Sequence, residues 1–399
     1  MSIVSNLSNS VRARYINAYT KGVENRKLYE LMCQPISVDK EVLQNSSSVS
    51  TPYLSDMNIT AQTVSETVDI PAQNLRDAST SITPTSRGDA IQDSEKLLLE
   101  NYTDYGAARF EKLGQNMVAT LESLIIDSAM SGSLVMRAEA RATMDAEDTT
   151  SRLMDNDFFE AANTLKEMGC PQIQQDGINA PNGMMAIMHP DAYYDLLSAG
   201  LIDDIASYQD KQIWMNGALG TLNGFQIISS PFAKVFMGAG ESHATGGEYT
   251  TSAAAEALAK TVSITTGTHV ALGRYLNFGT EETGTDYYPT NERLKHVSGT
   301  ATSIIVGGGA NGGLKYDHAS GTAINNNDSV YPVLFGGPNS LAKIFAPDVG
   351  EFGEVIGPKR DGLLDQFVSL GWKWYGAYAI MNENWLVRGE YSSSLDNVA

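Results

Sequence analysis

The chain has 399 residues, with 27 Lys and Arg against 47 Asp and Glu, a formal net charge of −20. That balance argues against a protein that coats nucleic acid, which needs a basic surface, and against docking to anionic lipid. Hydrophobic residues at 42% exclude a wholly disordered chain, and the length has room for about two or three domains with buried cores. Two cysteines, Cys33 and Cys170, cannot build a disulfide framework or a four-thiolate zinc site. Met1 to Ser10 lacks an apolar signal core, and no run reaches the ~18 apolar residues of a membrane span. A soluble protein of a reducing compartment is expected.

Met1 to Asn45 is polar and locally basic, with Arg12, Arg14, Lys21, Arg26 and Lys27. Val23 to Met32 can form a short helix, and the rest reads as an arm. Ser46 to Ser86 is rich in Ser and Thr. Within it Val64 to Ile70 alternates with period two up to Pro71, and Asn58 to Thr63 alternates more weakly. The expectation is a long polar β-hairpin, too poor in apolar residues to carry its own core. Asp89 to Ser131 changes character to helix. Phe110, Leu113, Met117, Leu121 and Leu124 recur at steps of three and four, and Gly132 supplies a stop. A continuous helix over Tyr105 to Ser131 would be ~40 Å long.

Asp157 to Gly169 is a second predicted helix, with Asp157 as its cap and Phe158, Ala162, Leu165 and Met168 as its face. Met184 to Met188 reads as a buried strand. His189-Pro190-Asp191 then opens a third helix that Gly200 closes. Leu222 to Ser229 reads as a strand after turns at Gly217 and Gly220. Gly238 to Ser329 is rich in Gly, Thr and Ser, and reads as a β-rich insertion with strands at Thr261 to Thr265, Val270 to Leu276 and Ala301 to Val306. Val330 to Phe335 resumes a buried strand. Val368, Leu370, Trp372 and Trp374 alternate against polar neighbours, and Trp385 to Glu390 reads as the antiparallel return after a turn at Asn382 to Asn384.

Motifs of chemistry are lacking. His189, His243, His269, His296 and His318 include no helical His-x-x-x-His pair, and His189 suits a cap. Gly307 to Gly312 matches Gly-x-Gly-x-x-Gly after a strand, but no amphipathic helix follows, so it reads as a glycine loop and not a dinucleotide site. The pairs Asp203/Asp204 and Glu281/Glu282 read as acidic surface. The expectation is no catalytic, cofactor-binding or metal residue. Trp372, Trp374, Leu113, Met117 and Leu121 are read as core.

Three passages carry a resemblance: Met188 to Leu196; Gly217 to Gly220 with Leu222 to Ile228; and Gly371-Trp372-Lys373-Trp374-Tyr375-Gly376-Ala377 followed by Trp385-Leu386-Val387-Arg388. With the order of elements, the chain resembles the major capsid proteins of tailed bacteriophages, of the Hong Kong 97 coat fold, and within them the coat proteins of short-tailed N4-type phages. The resemblance implies an α+β fold in five parts: an N-terminal arm (1–45), an extended loop (46–88), a peripheral domain with a spine helix (89–156 and 356–399), an axial domain (157–355), and within that the β-rich insertion (238–329).

The resemblance also implies a non-enzymatic function. The chain would self-assemble into hexamers and pentamers of an icosahedral shell around double-stranded DNA, which it encloses without sequence-specific contacts. Portal, scaffolding and decoration proteins are the implied partners, with no membrane. The implied location is the virion capsid, after assembly in the host cytoplasm. Arg12, Arg14, Arg76 and Arg87, on arm and loop, are the expected inter-subunit contacts. Two alternatives stand beside this: a shell subunit of an encapsulin-like nanocompartment, and an enzyme with a site in 238–329.

Elementary physics agrees with a shell. A heterologous contact repeated by rotation closes a ring, and rings joined by further contacts can close a shell. An arm of this length can reach ~150 Å when extended. An acidic wall does not trap a packaged polyanion. Some shells of this family are locked by a bond from a loop lysine to a neighbour's Asn. Here 46–88 holds no Lys, so no loop cross-link is expected.

Overall fold

The structure is a computed structural model. It describes residues 29–37, 48–54, 75–94, 96, 105–170, 184–198, 221–242, 249–265, 274–281, 290–308, 312–346, 353–361 and 366–396. The expected strands at Asn58 to Ile70, the end of the third helix at Gly200, and Arg12 and Arg14 lie outside them.

In chain order, a 3-10 turn at Tyr29–Met32 leads into β1 (Cys33–Ser37), β2 (Val49–Leu54), β3 (Asp77–Ile82), β4 (Thr85–Ser94) and the helix α1 (Tyr105–Met130). Next come β5 (Val135–Arg137), α2 (Asp155–Glu167), β6 (Met184–Met188), α3 (Pro190–Leu196), β7 (Thr221–Leu222) and β8 (Phe225–Ser229). The insertion supplies β9 (Tyr249–Thr250), β10 (Thr261–Ser263), β11 (Tyr275–Phe278), β12 (Glu292–Thr300), β13 (Ser303–Gly307) and β14 (Ala323–Asn325). The chain ends with β15 (Tyr331–Gly336), β16 (Leu341–Phe345), β17 (Glu354–Asp361), β18 (Phe367–Ile380) and β19 (Leu386–Tyr391).

These elements form two compact units. One holds Pro35–Val118 and Ala342–Met381; the other holds Arg26–Gln34, Ala119–Leu341 and Asn382–Ala399. Residues 119–156 and 382–399 group with the α/β unit, and 342–355 with the antiparallel one.

The antiparallel unit is built on β18. Its alternation is the one the sequence shows: Leu370, Trp372 and Trp374 are buried and Lys373 is exposed. Along one edge β4 pairs with it from Ser94 opposite Phe367 to Thr85 opposite Gly376, and β17 pairs along the other. So Asp89 to Ser94, expected as helix, is strand; a long partner strand overrides a polar sequence. β2 and β3 form a separate ribbon, from Val49 opposite Ile82 to Leu54 opposite Asp77. Ile82 anchors its root in a small cluster with Ile344, Ile36, Val49, Ala377 and Ala379. The sequence places Cys33 to Ser37 in an extending arm, but β1 joins this subunit's own sheet beside β16.

Helix α1 carries one apolar stripe. Phe110, Leu113, Met117, Leu121, Ile125 and Met130 are buried, and Leu124 is only half-buried because Ile125 takes its place. Its last turn tightens through bonds from Ser131 N to Ser128 O and from Gly132 N to Ala129 O.

The α/β unit has a six-stranded mixed sheet in the order β5-β19-β15-β6-β8-β7. Every residue of β6, β15 and β19 is buried, as expected for strands covered on both faces. Phe158 of α2 meets Phe225 and Phe335 edge-on at 6.0 and 5.2 Å, at the centre of the core. Three local expectations change here. Asp157 is not the cap of α2 but its third residue, reaching back to the Met154 N–H at 2.7 Å. Leu222 to Ser229 is not one strand: Asn223 and Gly224 turn with φ of 53° and 85°, making a tight hairpin. Trp385 to Glu390 does not return along β18; β19 pairs with β15 and, in parallel, with β5.

The insertion forms a third sheet, in the order β10-β13-β12-β11-β14-β9. Its two ends meet. Thr251 bridges Ile264, Ser252 N donates to Ser263 O at 2.9 Å, and Thr265 N donates to Thr250 O at 2.9 Å. The sheet thereby closes into a small barrel without a free edge. Tyr249, Val262, Ile264, Leu276, Phe278, Leu294, Ile304, Val306, Leu314 and Ile324 fill it. Strand β12 was not expected from sequence. The chain enters and leaves side by side, since Phe236 N donates to Val330 O at 2.9 Å and Val330 N to Phe236 O at 3.0 Å.

Candidate functional site

Two ionic clusters are buried in the α/β unit. The first centres on Glu390, whose side chain is 0% exposed. Parallel pairing sets Arg137 of β5 opposite Glu390 of β19, and period two sets Arg388 on the same face. Arg137 Nε donates to Glu390 Oε2 at 2.7 Å, and Arg141 donates to both carboxylate oxygens at 2.8 and 2.5 Å. Arg388 Nε lies 2.9 Å from Oε1, and its guanidinium also donates to the Met130 carbonyl, closing the end of α1. Burial pushes the Glu390 carboxyl up, but the hydrogen bonds from Arg141 and Arg137 outweigh it and leave it below the usual range. Arg141 also lies 4.2 Å over the Phe236 ring, at the root of the insertion.

The second cluster centres on Arg293 of β12. Its guanidinium pairs with Asp396 at 2.5 Å and Asp191 at 3.3 Å, donates to the Tyr331 hydroxyl, and lies 3.9 Å over the Tyr275 ring. Asp396 also accepts from Ser329 N at 2.5 Å. His189 caps α3, its Nδ1 accepting from Asp191 N at 3.2 Å. Burial lowers the His189 pKa, with Asp191 opposing. Burial pushes the Asp396 carboxyl up to about 6, although Arg293 pulls the other way. One arginine of the barrel thus ties α3, β15 and the C-terminal segment together. That segment is sewn in further by Ser394 N on Asp195 at 2.9 Å and Ser392 N on Ser151 O at 2.8 Å.

A third pair closes one end of the barrel. Glu292 accepts from His318 at 2.8 Å and from the Lys315 N–H at 2.8 Å. Glu390, Asp396, Asp191 and Glu292 are each held by basic side chains or backbone donors, which is bracing chemistry. Burial pushes the Cys170 thiol up to about 11, away from thiolate reactivity. Among the described residues no group of three His, Cys, Asp or Glu gathers as for a metal, and no described helix is long and apolar enough to cross a membrane.

The residues named from sequence fall elsewhere. Trp372 is 3% exposed, with its indole N–H donating to Asn116 at 3.2 Å, and Trp374 is fully buried and stacked on Tyr378. Leu113, Met117 and Leu121 are 2, 1 and 3% exposed on α1. Arg76 is exposed just before β3, and Arg87 is exposed on β4 opposite Trp374. After Gly307 no α-helix follows in 312–322. The sequence reading missed both arginine clusters. Only the Arg388-x-Glu390 alternation hinted at one, since Arg137 is 253 positions from its partner.

No family model and no curated protein matches the sequence. Solved structures do. The chain has the fold of phage capsid subunits. It is similar to the capsid of Ralstonia phage GP4, with a TM-score of 0.57 over 94% of both chains at 8% identity. It is also similar to the capsid of the cyanophage P-SCSP1u, with a TM-score of 0.53 over 92% of this chain and 89% of that one at 9% identity. The head structure of Helicobacter pylori bacteriophage KHP40 gives 0.51 over 92% and 89% at 10% identity.

Proposed function

We propose that this chain is a major capsid protein, a structural subunit that forms hexamers and pentamers and closes an icosahedral shell around packaged phage double-stranded DNA. A fold by itself hosts many functions. What supports this reading is agreement with the Ralstonia phage capsid along 94% of both chains. On this reading 1–45 is the N-terminal arm, 46–88 is the extended loop with the β2–β3 ribbon as its root, 89–156 and 356–399 are the peripheral domain with α1 as its spine helix, and 157–355 is the axial domain. The barrel is an insertion on the outer face. Arg12, Arg14, Arg76 and Arg87 contact neighbouring subunits. Portal, scaffolding and decoration proteins are the partners, the N4-type phages the nearest group, and assembly precedes release from the host cytoplasm.

Electron microscopy of the purified, concentrated protein tests the reading. Closed shells or rings are expected; a monomer at every concentration would overturn it. Shells from infected cells should contain DNA, whereas a protein cargo without DNA would favour a nanocompartment.

A further inference from the structure

Arg137 differs from the other two arginines on Glu390. Arg141 and Arg388 side chains are 16% and 10% exposed, whereas that of Arg137 is 44% exposed. Only its Nε is bound to Glu390, at 2.7 Å. Among the described residues Glu390 is the one carboxylate in ion-pair reach of Arg137. A buried glutamate therefore holds one side of the guanidinium fork and fixes its direction, leaving the other side set for a bidentate anion. Three guanidiniums on one carboxylate also leave two positive charges over. The strand that carries Arg137, β5, is the edge of its sheet.

We infer that the exposed fork of Arg137 is a docking point for an Asp or Glu carboxylate of a second copy of this chain. The inference rests on the shell reading and names a contact within it. Charge favours this occupant: with 47 acidic residues against 27 basic ones, a second copy presents mostly carboxylates. Preorganisation by Glu390 spares the entropy of ordering a long side chain at the moment of contact. DNA phosphate is the other anion in reach.

The test uses the full chain. In Arg137→Lys, Arg141 and Arg388 still satisfy Glu390, so the subunit keeps its fold, checked by circular dichroism. The amine is then joined to any touching carboxylate by a carbodiimide in assembled particles made from a mixture of 15N-labelled and unlabelled subunits. Mass spectrometry should find position 137 linked to an acidic peptide of the other isotope. Arg137→Gln should raise the subunit concentration needed for assembly by about tenfold, and salt should raise it less than in the wild type. Particles that form normally but link position 137 only within one copy, or not at all, would overturn the inference while leaving the shell reading intact. So would an Arg137→Gln variant that assembles like wild type but holds DNA less well. Failure of the wild type to form particles would instead strike the shell reading itself.

Discussion

Glu390 and Asp396 are both buried carboxylates, yet they titrate in opposite directions. Glu390 accepts from two arginines and sits beside a third, so its charge is oversupplied with donors; Asp396 has Arg293 and one backbone N–H, and burial wins. Removing the charge at Glu390 leaves the largely buried guanidiniums of Arg141 and Arg388 with no counter-ion. Glu390→Gln should therefore cost about 3–5 kcal/mol of stability in chemical denaturation. A loss under ~1 kcal/mol would mean that the arginines find other partners. For Asp396 the native pKa of about 6 exceeds the ordinary 3.8, so the folded state binds the proton more tightly. Its contribution to stability is full below the lower value and is lost as pH rises through the higher one. Asp396→Asn removes that titration. Wild-type stability minus variant stability should fall by up to about 3 kcal/mol from pH ~4 to pH ~6, read by urea unfolding. A flat difference would show an unshifted carboxyl. Beyond the Arg388-x-Glu390 alternation, none of this was visible in the sequence. A charge's partners lie hundreds of positions away, whereas the apolar period that marked Trp372, Trp374 and the α1 stripe is local.

Among elements, those with their own period were legible. The α1 stripe, the all-buried β6 and the His189-Pro190-Asp191 helix start each follow from neighbours a few residues apart. Strand β12 was not legible because Glu292 and His296 point into the barrel and are buried there, so polar letters occupy core positions. Strand β4 was hidden in a different way: six of its residues in a row are exposed, and only its ten-residue pairing to β18 makes it a strand. Backbone approach is just as silent. At Gly240 a Cβ would meet the carbonyls of Asp328 and Met144, both at 2.8 Å, and neither can swing away as a side chain would. Gly240→Ala should destabilise the root of the insertion by about 1–3 kcal/mol. Hydrogen exchange should show faster opening at the Gly240 N–H, which bonds to Asp328 O at 2.7 Å, with α1 unchanged. Equal rates in both proteins would mean that the two carbonyls have room to give.

For the whole molecule, chain order alone does not say which distant segments share a sheet. Chain order does not say that β19 leaves the sheet of β18 and joins that of β15. Nor does it say that Tyr29, fully buried with its N–H 3.4 Å from Glu122, is packed into the body. At this scale the missing loop lysine has a direct readout. Mature particles boiled in detergent should run as a single band near 43.0 kDa, because nothing in 46–88 offers an amine for a covalent lock. A ladder of pentamers and hexamers would show a cross-link from another part of the chain.

The side-by-side strands at Phe236 and Val330 carry a consequence for how such a subunit changes over generations. Closing a disordered stretch of ~90 residues would cost about 4 kcal/mol of chain entropy, charged against the host domain. A barrel with a core of its own already holds its two ends a hydrogen bond apart, so little of that cost falls on the host. The module can thus be gained, lost or exchanged by recombination at one point in the gene, with the Arg293 contacts as the main adjustment the host must make.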